Sequence, residues 1–294
     1  MSNFNLKVFQ KGFNYSQDGP GNRLVYHLQG CNMRCPWCAN PESIDKAGSL
    51  MIDTKYLMDS LCPYGAIKSK TINRNICKNC ISRECILEKN RNKAIRMSCV
   101  TLNIDDMVNL AVSCKDSFYD GGGVTFTGGE PTLQFEGLWN ILKKMKSNNI
   151  NTAVETNGTS KRLRKLFSSI DHLIIDYKIP FSNRHKTILK STDDQIKSNL
   201  LLASEKHDDL LVRIPLIHNI NDRDEDLDAF IDFFKTLNYK NIRFELLKYH
   251  DYGKNKWTQI GKKYKMKSNS HISQEKYKQF VMTFQKEGLE VVFT

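Results

Sequence analysis

The sequence predicts an α/β fold in which helices cover a parallel sheet rolled into a barrel or partial barrel, interrupted once by a small cysteine-rich insert. Three observations carry this. Short apolar runs alternate with amphipathic stretches along most of the 294 residues, as in repeated βα units. Each unusual polar cluster follows the end of a predicted strand. One stretch lacks both periods and concentrates cysteine. A chain of this length with 40% hydrophobic residues has enough apolar material for one large core plus a small insert.

Six runs read as strands: RLVYHLQ (Arg23 to Gln29), GVTFTG (Gly123 to Gly128), NTAVET (Asn151 to Thr156), HLIIDYK (His172 to Lys178), LLVRIPL (Leu210 to Leu216) and NIRFELL (Asn241 to Leu247). Between them LWNILKKMKS, DDQIKSNLLLASEK and DEDLDAFIDFFKTL carry helical periodicity and begin at polar or charged residues. Barrels of this order gather their chemistry in the loops after the strand C-termini. The cysteine cluster follows the first strand, and Gly128, Gly129 and Glu130 end the second. Glu155, Thr156 and Asn157 end the third, Asp176 and Lys178 the fourth, and His250 follows the sixth. All share one rim.

From about Met51 to Thr101 the alternation breaks. This stretch is rich in Lys, Arg and Asn and holds Cys62, Cys77, Cys80, Cys85 and Cys99. The chain divides accordingly into a barrel of residues 1–50 and 102–294 and an insert of residues 51–101. So short and polar a segment has too few apolar groups to fold alone, so bound metal is expected to supply the missing stabilisation. The nine cysteines are odd in number and clustered, which a disulfide framework explains poorly; in a reducing cytosol such spacing points to metal or redox chemistry. Cys114 lies in a helical pattern, MVNLAVSCKDSF, and reads as a small buried apolar residue.

No run approaches the roughly 20 apolar residues of a membrane helix. The start, MSNFNLKVFQKGF, lacks the apolar stretch of a secretory signal, so a cytoplasmic location and no membrane partner are expected. The formal charge is +12, but the basic residues are spread along the chain without an RNA-binding signature. The charge reads as a solvated surface rather than a nucleic-acid groove.

In GCNMRCPWCANPES the thiols of Cys31, Cys35 and Cys38 are spaced C-x3-C-x2-C, three soft ligands on one tight loop with no fourth cysteine nearby. Three ligands suit an iron–sulfur cluster with one open iron, whereas most ferredoxin clusters are closed by four cysteines. Zinc also accepts three cysteines with a distant fourth ligand, so the triplet alone leaves both open. GGGVTFTGGEP adds two glycines and a glutamate directly after a strand, where backbone can approach a ligand and a carboxylate can receive an ammonium group. Joined to the triplet on the preceding strand, with Trp37 as its aromatic residue, this favours the open cluster.

The triplet, the Gly-Gly-Glu and the strand order resemble the radical S-adenosylmethionine (SAM) superfamily. More narrowly they resemble the glycyl-radical-enzyme activating enzymes, among them the pyruvate formate-lyase activase. DGPGNR (Asp18 to Arg23), ETNG (Glu155 to Gly158), IDYK (Ile175 to Lys178) and YHDYGKNKW (Tyr249 to Trp257) extend the likeness over nearly the whole chain. The resemblance implies a partial (β/α)6 barrel holding a [4Fe–4S] cluster on Cys31, Cys35 and Cys38. Its open iron chelates SAM, which is cleaved to a 5′-deoxyadenosyl radical. The radical abstracts a glycine Cα hydrogen from a partner glycyl radical enzyme, and a flavodoxin or ferredoxin supplies the electron.

Carried over by position, Gly128, Gly129 and Glu130 would receive the SAM amino group, and Lys178 and His250 would face its carboxylate or ribose. Trp37, Asn40 and Asn157 are further cofactor-side candidates. Glu155, Thr156 and Asp176 match positions that gather a monovalent cation beside SAM in the pyruvate formate-lyase activase, although that enzyme has aspartate where this chain has Glu155. The insert resembles a reduced ferredoxin-like segment. LCPYGAI and ICKNCISREC imply an auxiliary [4Fe–4S] cluster on Cys62, Cys77, Cys80 and Cys85, with Cys99 competing for a place. Zinc remains the alternative in the insert. A small-molecule substrate and a two-cluster electron carrier remain alternatives for the whole chain.

Overall fold

The computed structural model describes residues 4–59, 62–78, 80, 85, 94–238 and 241–294. Its strands in chain order are β1 (Asn5–Tyr15), β2 (Asn22–Leu28), β3 (Leu50–Ile52), β4 (Ile67–Lys68), β5 (Thr71–Ile72), β6 (Ile95–Met97) and β7 (Val100–Asn103). There follow β8 (Gly123–Gly128), β9 (Thr152–Thr156), β10 (His172–Asp176), β11 (Leu210–Leu216), β12 (Ile242–Lys248) and β13 (Glu290–Val291).

Nine of these form one sheet in the order β13-β12-β11-β10-β9-β8-β2-β1-β7. The six expected strands, β2 and β8 to β12, lie side by side and pair in parallel. Such strands are covered on both faces, which is why β8 and β11 are buried almost throughout. Because neighbours in the sheet are neighbours in sequence, each crossover helix packs beside the last. The sheet therefore curls, with β13 and β7 at its two edges rather than paired to each other.

The helices follow their periodicity. In Phe135–Ser147 the buried side chains include Leu138, Ile141, Leu142 and Met145, and in Asp224–Phe234 they include Leu227, Phe230, Ile231 and Phe234; both sets repeat at i, i+3, i+4, i+7. Phe234 packs on Phe230, Phe244 and Phe284. Each such ring, fully buried, contributes roughly 1.5–3 kcal/mol. Among the described residues no helix is long and apolar enough to cross a membrane.

Three features differ from the sequence reading. The chain opens with β1, an eleven-residue strand antiparallel to β2 and, on its other side, to β7. Val100 and Thr101, assigned to the insert, therefore belong to the main sheet. The insert also has more order than its composition suggests: β3 pairs with β6, β4 with β5, and Ile52, Leu57, Ile67, Ala94 and Ile95 make a small core. Leu61, Asn79 and residues 81–84 of the two cysteine motifs lie outside the described residues. Cys114 is not buried; it is the partly exposed C-cap of the helix Ile104–Ser113.

DGPGNR completes the turn between β1 and β2 and supplies the first two residues of β2. Gly21 has φ +67°, and a Cβ there would meet the Tyr119 carbonyl at 2.3 Å, so only glycine fits. Arg23, fully buried, ties the turn to the sheet through Thr125 Oγ1 (2.7 Å), Pro20 O (3.1 Å) and Asn151 Oδ1 (2.9 Å).

Candidate functional site

The loop after β2 carries the cysteine triplet and is held from several sides. Gly30 N donates to Ser43 O (2.7 Å), Arg34 N to Leu189 O (2.9 Å), and the Arg34 guanidinium to the carbonyls of Cys31 and Met33 (2.9 and 2.8 Å). Trp37 is turned into the main core, where it supports the loop from beneath. The YHDYGKNKW segment lies directly on this loop. Trp257 Nε1 donates to Cys38 O (3.0 Å), and a Cβ on Gly253 would meet Cys38 O and Ala39 Cα at 2.7 Å. Lys256 Nζ donates to Asn40 Oδ1 (2.7 Å) and pairs with the buried Glu42 (2.8 Å).

The three thiols suit a cluster. Burial raises all three: Cys31 and Cys35 are pushed above the ordinary thiol range and Cys38 up to about 12. Neutral pH alone does not ionise them; a cation-bearing group that replaces the three protons does. The Met33 amide donates to Cys31 Sγ (3.4 Å) and the Asn40 amide to the Cys38 sulfur, donors of the kind that tune cluster potential. The Lys178 charge acts electrostatically on all three thiols, favouring their ionised form.

At the end of β8, Gly128 has φ +123°, and a Cβ on Gly129 would meet Gly30 O at 2.2 Å. The two glycines thus let β8 approach the cysteine loop, and Glu130 N donates to Gly30 O (2.7 Å). The Glu130 carboxylate is fully buried. Its Oε1 accepts from the Thr132 amide (3.0 Å), the Thr132 hydroxyl and the Thr156 hydroxyl (2.7 Å), and its Oε2 from the Asn157 amide (2.7 Å). One Oε2 lone pair is left over. Burial raises its pKa despite these four donors. Asn157 Nδ2 reaches Asn32 Oδ1 (2.9 Å), and Asn32 Nδ2 reaches Thr159 Oγ1 (2.8 Å). Glu130, Asn157 and Asn32 therefore lace the loops after β8, β9 and β2 into one unit.

Asp176 and Lys178 form an ion pair (2.6 Å) that remains partly exposed at the rim. Burial raises Asp176, with Lys178 only partly offsetting it; burial works against the Lys178 charge, but the Asp176 carboxylate opposes this most strongly and the Lys178 pKa is raised. His250 is exposed, stacks on Tyr252 (centroids 4.3 Å apart) and is held below the ordinary histidine range by desolvation, so it is neutral at neutral pH.

Sequence reasoning missed the buried charges behind this rim. Arg213, in the middle of β11, donates from Nε to Glu245 Oε2 (2.6 Å), from Nη1 to Glu155 Oε1 (3.0 Å) and from Nη2 to Gln17 O. The charged Arg213 inside LLVRIPL, and Glu245 inside NIRFELL, were the available signal. Burial disfavours the Glu155 charge, but Arg213 and the Thr127 hydroxyl hold the carboxyl below its usual range. Asp18, from the β1–β2 turn, faces Glu155 and Arg213 from below. The Glu155 carboxylate accepts from the Thr127 hydroxyl and Arg213, the Thr156 hydroxyl donates to Glu130, and Asp176 Oδ2 accepts from Lys178.

In the insert, Cys62, Cys77, Cys80 and Cys85 line one cavity of about 390 Å³, closed on one side by Arg74, Ile260 and Lys262. Cys99 does not line this cavity itself; it directly precedes the edge strand β7 and sits behind Gly48 and Asp45, which do line it. Among the described residues no three His, Cys, Asp or Glu side chains are gathered as for a single metal ion.

The profile of the Radical SAM superfamily matches residues 25–233. The 4-hydroxyphenylacetate decarboxylase activating enzyme of Clostridioides difficile strain 630 is 33% identical, covering 87% of this chain and 86% of its own length. The choline trimethylamine-lyase activating enzyme of Oleidesulfovibrio alaskensis is 29% identical over 87% of each chain. Among solved structures, a domain of pyruvate-formate lyase-activating enzyme from Bacteroides vulgatus superposes with a TM-score of 0.50 at 27% identity, over 59% of this chain and 99% of that one.

Proposed function

The chain belongs to the radical SAM superfamily and, within it, to the activating enzymes, and on that premise we propose that it installs a glycyl radical in a partner enzyme. When bound, the cluster and SAM supply the redox chemistry: reductive cleavage gives methionine and a 5′-deoxyadenosyl radical, which takes a hydrogen atom from a glycine Cα of the partner. The observation that carries this reading is the joining of the cysteine loop, the Gly-Gly-Glu turn and the Asn157 loop at one rim by Glu130 and Asn32.

The residues divide the remaining work. Cys31, Cys35 and Cys38 hold the cluster, and the Trp257 and Lys256 contacts fix the loop that presents them. Gly128 and Gly129 leave backbone bare at the rim, and the spare Oε2 position of Glu130 accepts from the SAM ammonium. Lys178 faces the SAM carboxylate, and neutral His250 on Tyr252 faces the ribose. Asn40 and Asn157 act through the loops they tie rather than by touching SAM.

Cys62, Cys77, Cys80 and Cys85 hold an auxiliary [4Fe–4S] cluster, for which the shared cavity has room, and Cys99 takes no part. A flavodoxin or ferredoxin delivers the electron. A monovalent cation is not part of this reading.

The test is anaerobic: reconstituted protein, SAM and dithionite should release 5′-deoxyadenosine. Alanine at Cys31, Cys35 and Cys38 should abolish release, and continued release from that variant would refute the assignment.

A further inference from the structure

The wall behind Asp176 carries its own positive charges. Arg213 on β11 is in register with Asp176 on β10 and with Glu245 on β12, so the three side chains share one face of the sheet. Glu155 on β9 is in register with Ile174, two residues below Asp176 on that same face. The Arg213 guanidinium spans β10 to reach it at 3.0 Å, and Glu155 Oε2 is taken by the Thr127 hydroxyl at 2.7 Å. Glutamate is one methylene longer than aspartate, which helps to close that span. Asp176 Oδ2 is taken by Lys178 at 2.6 Å. Thr156 Oγ1 donates to Glu130 (2.7 Å) and accepts from the Gly158 amide (3.1 Å).

A cation entering among these oxygens would have to displace Arg213 from Glu155 and Lys178 from Asp176, the two positive groups that already pair with these carboxylates. Arginine cannot give way by losing its proton.

We propose that Arg213 takes the place of a bound monovalent cation in this chain, holding the Glu155 carboxylate while Lys178 faces the SAM carboxylate, so that SAM binding requires no alkali-metal ion. Arg213 is then a positioning residue. The inference rests on SAM occupying this rim.

The test uses the reconstituted holoenzyme without oxygen. SAM is titrated calorimetrically in choline, sodium and potassium chloride at equal ionic strength, and the three dissociation constants should agree within about twofold. Tightening by about tenfold or more in either alkali salt overturns the proposal. Failure to bind SAM in every salt sinks the SAM-site reading and the proposal together. Sodium-23 relaxation gives a readout independent of activity: SAM should leave the sodium line unchanged, and a line broadened by SAM overturns the proposal. In Glu155→Asp the shorter carboxylate loses its reach to Arg213, and SAM affinity should become potassium-dependent by about tenfold. A Glu155→Asp protein that binds SAM equally in all three salts shows that this contact does not exclude the cation, and overturns it as well.

Discussion

The indole of Trp257 donates to the carbonyl of Cys38 across 3.0 Å, joining the segment after β12 to the last ligand of the cysteine loop. A neutral hydrogen bond of this kind contributes about 0.5–1.5 kcal/mol. In Trp257→Phe the ring still fills the site but the donor is gone. The variant should fold, melt a few degrees lower, and lose iron to a chelator faster than the parent. Iron loss at the parent's rate would show that the contact does not restrain the loop.

Glu130 gathers donors from the turn after β8 and the loop after β9. Glu130→Ala leaves the Thr156 hydroxyl and the Thr132 and Asn157 amides without their buried acceptor, at about 1–3 kcal/mol each. Its melting temperature should fall sharply, and SAM binding should weaken by about tenfold or more. Glu130→Gln, which keeps one acceptor oxygen, should lie between. Unchanged stability and unchanged SAM affinity in both variants would remove Glu130 from the site.

The insert is tested by metal content. The four thiols sharing one cavity, added to the triplet of Cys31, Cys35 and Cys38, predict two four-iron clusters, about eight iron atoms per chain after anaerobic reconstitution. Cys99→Ser should leave that number unchanged, whereas Cys77→Ser should reduce it to about four. Stoichiometric zinc with about four iron would replace the auxiliary cluster with a structural ion.

What the sequence made legible, and what it hid, has a physical pattern. The six parallel strands were readable because burial on both faces leaves apolar runs in the sequence, and their ends placed the cysteines, Glu130, Asp176 and Lys178 on one rim. The strand β1 was not, because its exposed residues include Asn5, Lys7, Gln10 and Lys11 and one of its pairing partners, β7, lies beyond the insert. Arg213 and Glu245 were hidden inside strands whose neighbours dominate any hydropathy average. The roles of Trp257, Lys256 and Gly253 depend on a contact spanning more than two hundred residues, for which no local period exists.

Asp18 offers a pH signature. Burial first, and then the nearby Glu155, push its carboxyl up to about 6 from 3.8. Between those values the native chain keeps a proton that the unfolded chain has released, so this group makes stability fall as pH rises through the window. A shift of about two units corresponds to about 3 kcal/mol once both states are ionised. Asp18→Asn should therefore melt higher than the parent at pH 7.5, with the advantage shrinking towards pH 5. An advantage constant over that range, or a loss at pH 7.5, would contradict the raised pKa.

The central claim is that the radical made at this rim ends on a backbone glycine of another protein. The most direct measurement is the electron paramagnetic resonance spectrum of reduced protein, SAM and a glycyl radical enzyme from the same genome, mixed without oxygen. The expected spectrum is a glycyl doublet that loses its α-proton splitting when the partner's glycine is deuterated at Cα. SAM consumed while every such partner stays without a glycyl signal would contradict it.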